Sequence, residues 1–415
     1  MEKLTTEGRD RSSIVWENLE EWVRGKVQEF IQSMLEEEVT ELLGRGKSER
    51  RQVMDAPAIY RNGYGKERNL TLSCGTIKVL RPRVRGLEQR VESRVLPLFS
   101  RRTKEVDRLI PELYLHGLAA GDFDLALRGL LGAEAPISAS TVARLKEKWQ
   151  GEWKEWKEQS LAGLEVVYLW VDGVYVKAGL EKEKAALLVA IAGLSDGRKV
   201  FLMVEPGYRE STESWSALLR NLKQRGMNYP RLVAGDGHLG IWAALRNVYP
   251  EAAEQRCWNH KALNVLDKLP KKRQGEAKGQ LQQMAYAESR RQAEERRDKF
   301  VQWCQKEGCN AAAETLTRDW ERLVTFYQFP KEHWKHLRTT NVVESPFAAL
   351  RLRTDAAKRY KKAENATAVI FKLLMLAEGR FRRLNAPERI QQVFLGVQFQ
   401  DGIEVNQKMV QELAA

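Results

Sequence analysis

The stretch that decides the fold is EVVYLWVDGVYVK, Glu165 to Lys177. It is crowded with Val, Tyr and Trp, which suit a pleated strand. Asp172 interrupts it between Val171 and Gly173. A carboxylate inside an apolar strand is unfavourable unless it has partners. Downstream, Ala185 to Leu194 reads as a second strand. Ser195-Asp196-Gly197-Arg198 reads as a hairpin turn, and Lys199 to Glu205 as a third strand. Ser211 to Arg225 predicts a helix with Ser211 or Thr212 near its cap. Arg231 to Ala234 predicts a fourth strand ending at Gly235-Asp236-Gly237, Ile241 to Val248 a helix, and Ala253 to Trp258 a fifth strand. Three hairpin-joined strands, then helix, strand, helix, strand, is the order of an α/β domain with a ribonuclease-H-like mixed sheet.

Such a domain needs one more helix to close its edge, and the chain reaches it only after a detour. Residues 261–336 read as helical and highly charged, with Pro270, Gly275, Gly308 and Pro330 as breaks. Asn341 to Arg353 then supplies the candidate closing helix, and Glu364 to Leu384 a further one. Upstream, residues 14–43 carry apolar residues at helical spacing up to Gly44, a stripe that needs a partner in the fold or on another copy. Arg61 to Arg85 predicts a strand pair turning at Cys74-Gly75. Lys104 to His116, Phe123 to Leu131, and a segment starting at Ser138 or Ser140 and running toward Trp156 predict three helices. These fit either a helix-turn-helix or a simple helical packing unit. The expected organisation is therefore a helical region over 1–60, suited to oligomerisation, and a basic region over 61–160. An α/β domain over 161–260 and 337–385 is interrupted by an all-α segment over 261–336, and a tail covers 386–415.

The 415 residues carry a net charge of +13, a surface that attracts polyanions. The charge is uneven. Residues 1–50 hold 8 Lys/Arg against 12 Asp/Glu, Arg61 to Arg108 holds 13 against 5, and Arg351 to Arg383 holds 10 against 3. Two separated basic blocks suit a protein that grips a phosphate backbone in more than one place. The candidate contacts are Arg81, Arg83, Arg85, Arg144, Lys146, Arg351 and Arg353. No run of eighteen apolar residues is present, so no membrane span is expected. Four cysteines in so long a chain do not make a disulfide framework, and Met1 to Arg11 has no apolar signal core. The expected location is the cytoplasm.

Asp172 lies within the first strand and Asp236 directly follows the fourth, and these strands are neighbours in a ribonuclease-H-like sheet, so their carboxylates should converge at one edge. A third acid on the closing helix, Glu344, would complete a site for two divalent cations. Hard cations such as Mg²⁺, with Mn²⁺ as a substitute, want the oxygen ligands that Asp and Glu supply. Singly, each acid has an ordinary explanation: a turn aspartate beside glycine, or the Glu of a capping box over Asn341-Val342-Val343-Glu344. Together, in this order, they point to phosphodiester chemistry.

Four motifs also look familiar: VYLWVDGVYVK around Asp172, GDGHLGIWAAL around Asp236, RCWNHKALNVLDKLP at 256–270, and FPKEHWKHLRTTNVVESPFAALRLRT at 329–354. With them the chain resembles the mutator family of bacterial insertion-sequence transposases, from its N-terminal helix to about Leu384. The resemblance implies that Asp172, Asp236 and Glu344 are the catalytic, metal-binding acids. It also implies that Cys257 and His260 form a Cys-x-x-His signature beside them, and that the helical detour is an insertion domain. The partners it implies are double-stranded DNA, as terminal inverted repeats and target, and further copies of the chain on paired ends. Asn259, Val342 and Pro346 depart from common family residues, which leaves a decayed or domesticated repeat-binding protein as the alternative. A resolvase or ribonuclease on the same fold fits less of the chain.

Three aromatic and metal-like patterns have plainer readings. Cys257 and His260 with Cys304 and Cys309 could form a zinc quartet, but a buried strand-end Cys257 and a His260 near the acids is the preferred reading. His333 and His336 read as structural or phosphate-contacting. Trp149, Trp153 and Trp156, at helical spacing, read as packing residues.

Overall fold

The computed structural model describes residues 16–50, 59–87, 91–118, 122–132, 135, 139–179, 184–207, 210–237 and 239–405. The predicted cap Ser138, the side chain of Ser140, the first two residues of the predicted N-terminal helix and the end of the tail lie outside the described parts. The chain folds into two compact units, 1–145 and 146–415.

In the first unit, helix α1 (Leu19–Leu43) is followed by strands β1 (Tyr60–Tyr64), β2 (Arg68–Leu72), β3 (Gly75–Val79) and β4 (Pro82–Arg85). The predicted strand pair is β2 and β3, antiparallel with Leu70 opposite Ile77 and Leu72 opposite Gly75. A second pair, β1 with β4, encloses it in sequence. One face of the α1 stripe finds its partner inside the fold, where Val27, Ile31 and Leu35 pack with Leu70, Ile77 and Val79 of the hairpin, while Trp22, Met34 and Leu42 stay exposed. A spacing of four places Val27, Ile31 and Leu35 on one helix face, while Phe30, offset from that face, is 66% exposed. Helices α2 (Lys104–Leu115), α3 (Phe123–Leu131) and α4 (Ala139–Trp156) match the three predicted ones, and α4 runs across the boundary between the units.

The second unit is built on a five-stranded mixed sheet. Its strands are β5 (Val166–Lys177), β6 (Lys184–Leu194), β7 (Lys199–Gly207), β8 (Leu232–Gly235) and β9 (Ala253–Arg256), in the order β7-β6-β5-β8-β9. The hairpin strands β5 to β7 pair antiparallel, and β8 and β9 join β5 in parallel. Helices α5 (Thr212–Gln224) and α6 (Leu239–Val248) cover one face. There Trp215, Leu219, Trp242 and Leu245 meet Leu169, Val171 and Val233 in one core. Alternation along β5 sends Tyr168 and Trp170 to the other face. The Trp170 indole N–H donates to the His336 carbonyl at 2.8 Å, and the Tyr168 hydroxyl lies 2.8 Å from His333 Nδ1. The predicted packing role of the α4 tryptophans holds. Trp153 donates to the Val204 carbonyl at 3.0 Å, and Trp156 stacks on Phe201 with ring centroids 4.7 Å apart.

The detour begins earlier than read. The fifth strand stops at Arg256, and helix α7 (Trp258–Leu266) starts at once, with Cys257 at its cap. Helices α8 (Lys271–Ala285), α9 (Arg290–Lys306) and α10 (Asn310–Thr317) complete a helical cluster with its own core of Val265, Leu281, Met284, Phe300, Cys304 and Leu316. Gly275 does not break the chain: it lies inside α8, where two flanking turns of helix override its weak propensity. Short helices α11 (Trp320–Leu323) and α12 (Trp334–Leu337) lead back to the sheet. The expected closing helix is two pieces, α13 (Asn341–Glu344) and α14 (Phe347–Ala357), because Pro346 has no N–H to continue α13. Helix α15 (Ala363–Glu378) stops six residues before the predicted Leu384. The tail, left without expectation, adds helix α16 (Pro387–Phe394) and a small hairpin, β10 (Phe399–Gln400) and β11 (Ile403–Glu404).

Of the two histidines on this face, His333 is structural. His333 is buried, with Nδ1 on Tyr168 and Nε2 3.2 Å from the Ala386 carbonyl. Burial, with Lys199 beside it, pushes His336 down from 6.5 to about 4. A histidine depressed in the folded state stabilises above its unfolded pKa, and that stability is lost as pH falls. Between about pH 6.5 and about 4 the unfolded chain takes a proton that folded His336 refuses. The melting temperature of His336→Gln should therefore gain on the wild type as pH falls through that window. A constant difference across the window would show that His336 does not sense acid.

Candidate active site

Strand β5 fixes the first acid. Trp170 pairs with Ala234 across β5 and β8, so two residues further along each strand Asp172 and Asp236 come to the same face and the same edge. Asp172 is 8% exposed, and its Oδ1 accepts the Gly173 N–H at 2.8 Å. Burial, then the charge of Asp236, pushes the Asp172 carboxyl up from 3.8 to about 7, with Glu344 adding in the same sense and His260 opposing. The three predicted acids are therefore electrostatic neighbours. Asp236 is half-buried at the end of β8.

The third acid arrives through the root of the helical detour. Cys257 N–H donates to the Gly235 carbonyl at 2.8 Å, which ties the detour's start to β8. Its end is tied to its start: the Thr340 N–H donates to Cys257 Sγ at 3.3 Å, Trp258 N–H to the Arg338 carbonyl at 2.9 Å, and Asn259 Nδ2 to Asn341 Oδ1 at 3.1 Å. Helix α13 then lies on β5 and β6. Glu344 does not form the capping box. Thr340, not Asn341, precedes the helix, and its hydroxyl bonds the Glu344 carboxylate instead.

Cys257 and His260 join this group. The His260 Nδ1 lies 3.9 Å from Glu344 Oε1 and 3.5 Å from the Thr340 hydroxyl. A hydrogen bond with Cys257 raises the imidazole to about 9 against the effect of burial, and the charges of Glu344 and Asp172 add to it. Among the described residues, Cys257, His260 and Glu344 are the donor group whose atoms all lie within 4.8 Å of one another. The zinc quartet does not form. Cys304 is buried in the core of the helical cluster and Cys309 caps α10, while the Cys257 sulfur already accepts a backbone N–H.

The motif glycines beside Asp236 have a steric basis. A side chain on Gly240 would place its Cβ 2.5 Å from the Glu210 carbonyl oxygen, so the loop before α5 can approach α6 only over glycine. Gly237 has φ of +100°, and a Cβ there would meet Arg256 Nε at 2.3 Å. Glu210 itself, buried and accepting the Tyr175 hydroxyl at 2.7 Å, was not singled out from sequence, since a lone Glu after a strand carries no pattern.

The predicted DNA contacts are spread over the chain. Arg83 and Arg85 are exposed, with Arg83 Nε on the Tyr64 carbonyl at 2.9 Å, and Arg81 binds the Val91 carbonyl at 2.9 Å. Arg144 and Arg351 are exposed and Lys146 is half-buried. Arg353 is a correction: at 2% exposure it turns into the fold and offers no surface for a phosphate.

The sequence profile described as transposase, Mutator family, matches residues 2–383. The chain belongs to the Mutator family of transposases. Among its relatives, the transposase for insertion sequence element IS6120 of Mycolicibacterium smegmatis is 42% identical over 297 residues, 72% of this chain and 92% of the relative. The transposase for element IST2 of Acidithiobacillus ferrooxidans is 41% identical over 283 residues, 68% and 95% of the two chains. That for ISRM5 of Rhizobium meliloti is 30% identical over 374 residues, 88% and 90% of the two chains. The family match spans every acid described above, along with Cys257 and His260, and ends before α16. No described helix of this transposase is long and apolar enough to cross a membrane.

Two substitutions test the frame around the acids. Cys257→Ala leaves the buried Thr340 N–H without an acceptor, which costs about 1–3 kcal/mol. Gly240→Ala forces two backbones apart, at about 1–3 kcal/mol by the scale of overpacked cores. Both should lower the melting temperature by several degrees in thermal unfolding. An unchanged value for Cys257→Ala would mean the detour's root is held by its other contacts alone.

Proposed function

We propose that this transposase cuts and joins DNA strands at the edge formed by Asp172, Asp236 and Glu344, in a ribonuclease-H-like catalytic domain. The observation that carries the reading is Asp172, a carboxylate buried at 8% exposure in an apolar strand with two further acids as neighbours. A buried anion is retained against its desolvation penalty where something compensates it. The residues fit a divalent cation: the donors are carboxylate oxygens, and the like charges that raise Asp172 would be relieved by a cation between them. Asp172, Asp236 and Glu344 would hold Mg²⁺, or Mn²⁺ in its place. Two such ions, when bound, supply charge stabilisation to the attacking and leaving oxygens of a phosphodiester.

The other groups position this centre. The Thr340 hydroxyl bonds one oxygen of Glu344 and so fixes the carboxylate's rotation. His260, beside Glu344 and the Thr340 hydroxyl, can donate to a DNA phosphate or steady Glu344. The substrates are double-stranded DNA, the terminal inverted repeats of the element and a target site, gripped by the basic blocks and by two or more copies of the chain on paired ends. The sheet order, with three antiparallel strands followed by two parallel ones, supports the fold assignment.

Asp172→Asn, Asp236→Asn and Glu344→Gln should each lower Mg²⁺-dependent cleavage of end-bearing DNA by about 10³-fold or more, since the cations contribute several kcal/mol. Asp172→Asn removes a buried like charge, so its melting temperature should equal or exceed that of the wild type. Retained cleavage in any of the three would remove that residue from the centre. A large fall in stability for Asp172→Asn would make the residue structural. In the same assay His260→Ala should slow cleavage.

A further inference from the structure

Helix α7 carries a second feature one residue from His260. Lys261 is 1% exposed, and its ammonium sits 3.1 Å from Asp319 Oδ2. Arg256 pairs with the same oxygen, and Arg322 reaches the other at 3.2 Å. Three cations thus converge on one carboxylate, and because Arg322 is shared with Glu254, one positive charge is left over among these groups. Around them lies a pocket of about 280 Å³ whose wall holds Arg256, Lys261, Lys268 and Arg318 against Asp267 and Asp319. Among the described residues neither Lys268 nor Arg318 forms an ion pair. Buried excess charge of one sign is unfavourable without a counter-ion. Burial and the nearby Arg256 accordingly push Lys261 down to about 8, with Arg318 adding to the effect.

The Arg256 Nε is buried and, among the described residues, donates to no acceptor. It lies against Gly237, the neighbour of Asp236. Arg256 pairs with Gly235 at the end of β9, so the pocket lies at the same end of the sheet as the acids but on the α6 side, and its volume is at the low end of the roughly 300–1,000 Å³ of small-molecule sites. A single phosphate supplies what the wall lacks: acceptor oxygens and negative charge. Free phosphate and a DNA phosphodiester share that chemistry, and the exposed cationic rim at the acids' end of the sheet favours the second.

We infer that this pocket is a phosphate subsite, which holds a backbone phosphate of DNA bound at the acidic end of the sheet. This rests on the reading that the chain acts on DNA there, but not on which acids cut. Lys268 and Arg318 form its exposed rim, and Lys261 and Arg256 its floor. Asp319 holds the floor cations in place and is itself neutralised by them.

The test uses the full chain and a mixed-sequence DNA duplex in EDTA, where no cleavage enters the readout. Binding is measured across a range of salt concentrations. The double variant Lys268→Gln/Arg318→Gln should bind the duplex several-fold more weakly at low salt. Its slope of log K against log salt should fall by about 1 for the lost phosphate contact. Its melting temperature should stay at the wild-type value, because both side chains are on the rim. Lys261→Met should reduce the slope in the same way if it folds, and the rim variant decides the matter if it does not. An unchanged slope in the rim variant overturns the subsite. A wild-type melting temperature raised by inorganic phosphate, with the rim variant's slope unchanged, assigns the pocket to a small free anion and also overturns the DNA contact. A wild type that binds no duplex at all overturns the DNA reading beneath it. Inactivity of the acids, by contrast, changes none of these results.

Discussion

The acidic edge depends on one short clasp, where the Thr340 N–H meets the Cys257 sulfur and the helical detour closes on itself. Closing a flexible loop over the 83 positions from Cys257 to Thr340 costs about 4 kcal/mol plus a constant. The three polar contacts at the root, at about 0.5–1.5 kcal/mol each, barely balance that. The remainder comes from making the loop rigid. Phe300, Leu281, Met284 and Leu316 give the detour a core of its own, and the Trp258 indole and the Gln255 amide both donate to the Leu323 carbonyl near its base. Glu344 stands beside Asp172 because a folded module, not a loop, delivers it.

Stability and chemistry pull in opposite directions along β5. Tyr168 and Trp170 bury large rings and satisfy their polar tips on the segment that returns to the sheet. Two residues on, the same face presents Asp172, whose burial works against its own ionisation. The ring side chains anchor the returning chain, and the carboxylate uses the position that they secure. A similar division appears on α7, where Trp258 packs edge-on to Trp320 while His260 turns to the acids.

Most of the sheet was legible because its signals are local. Alternating Val, Tyr and Trp, the Asp-Gly turn and the Ser211 cap each act over a few residues, and Ser211 does accept the Ser214 N–H. What could not be read was decided at a distance. Strand β1, Tyr-Arg-Asn-Gly-Tyr, has no apolar alternation and is a strand only because β4 pairs with it. Arg353 looked like its exposed neighbour Arg351, but two residues of helix turn it by about 200° into the interior. Gly275 carries the composition of a break and the context of a helix. At the site, the acids were visible as types and spacings. The link from Thr340 to both Cys257 and Glu344 was not, since it joins residues by folding alone. The pocket around Asp319 likewise gathers scattered basic residues that no motif connects.

The closed root has a consequence for the life of the chain. Asp172 and Asp236 leave the ribosome long before Glu344, and the missing acid can dock only after the whole module between them has collapsed. On the reading proposed above, a nascent or truncated polypeptide with a perfect sheet cannot nick the chromosome that encodes it. Folding of the detour acts as a safety catch, released once per finished molecule.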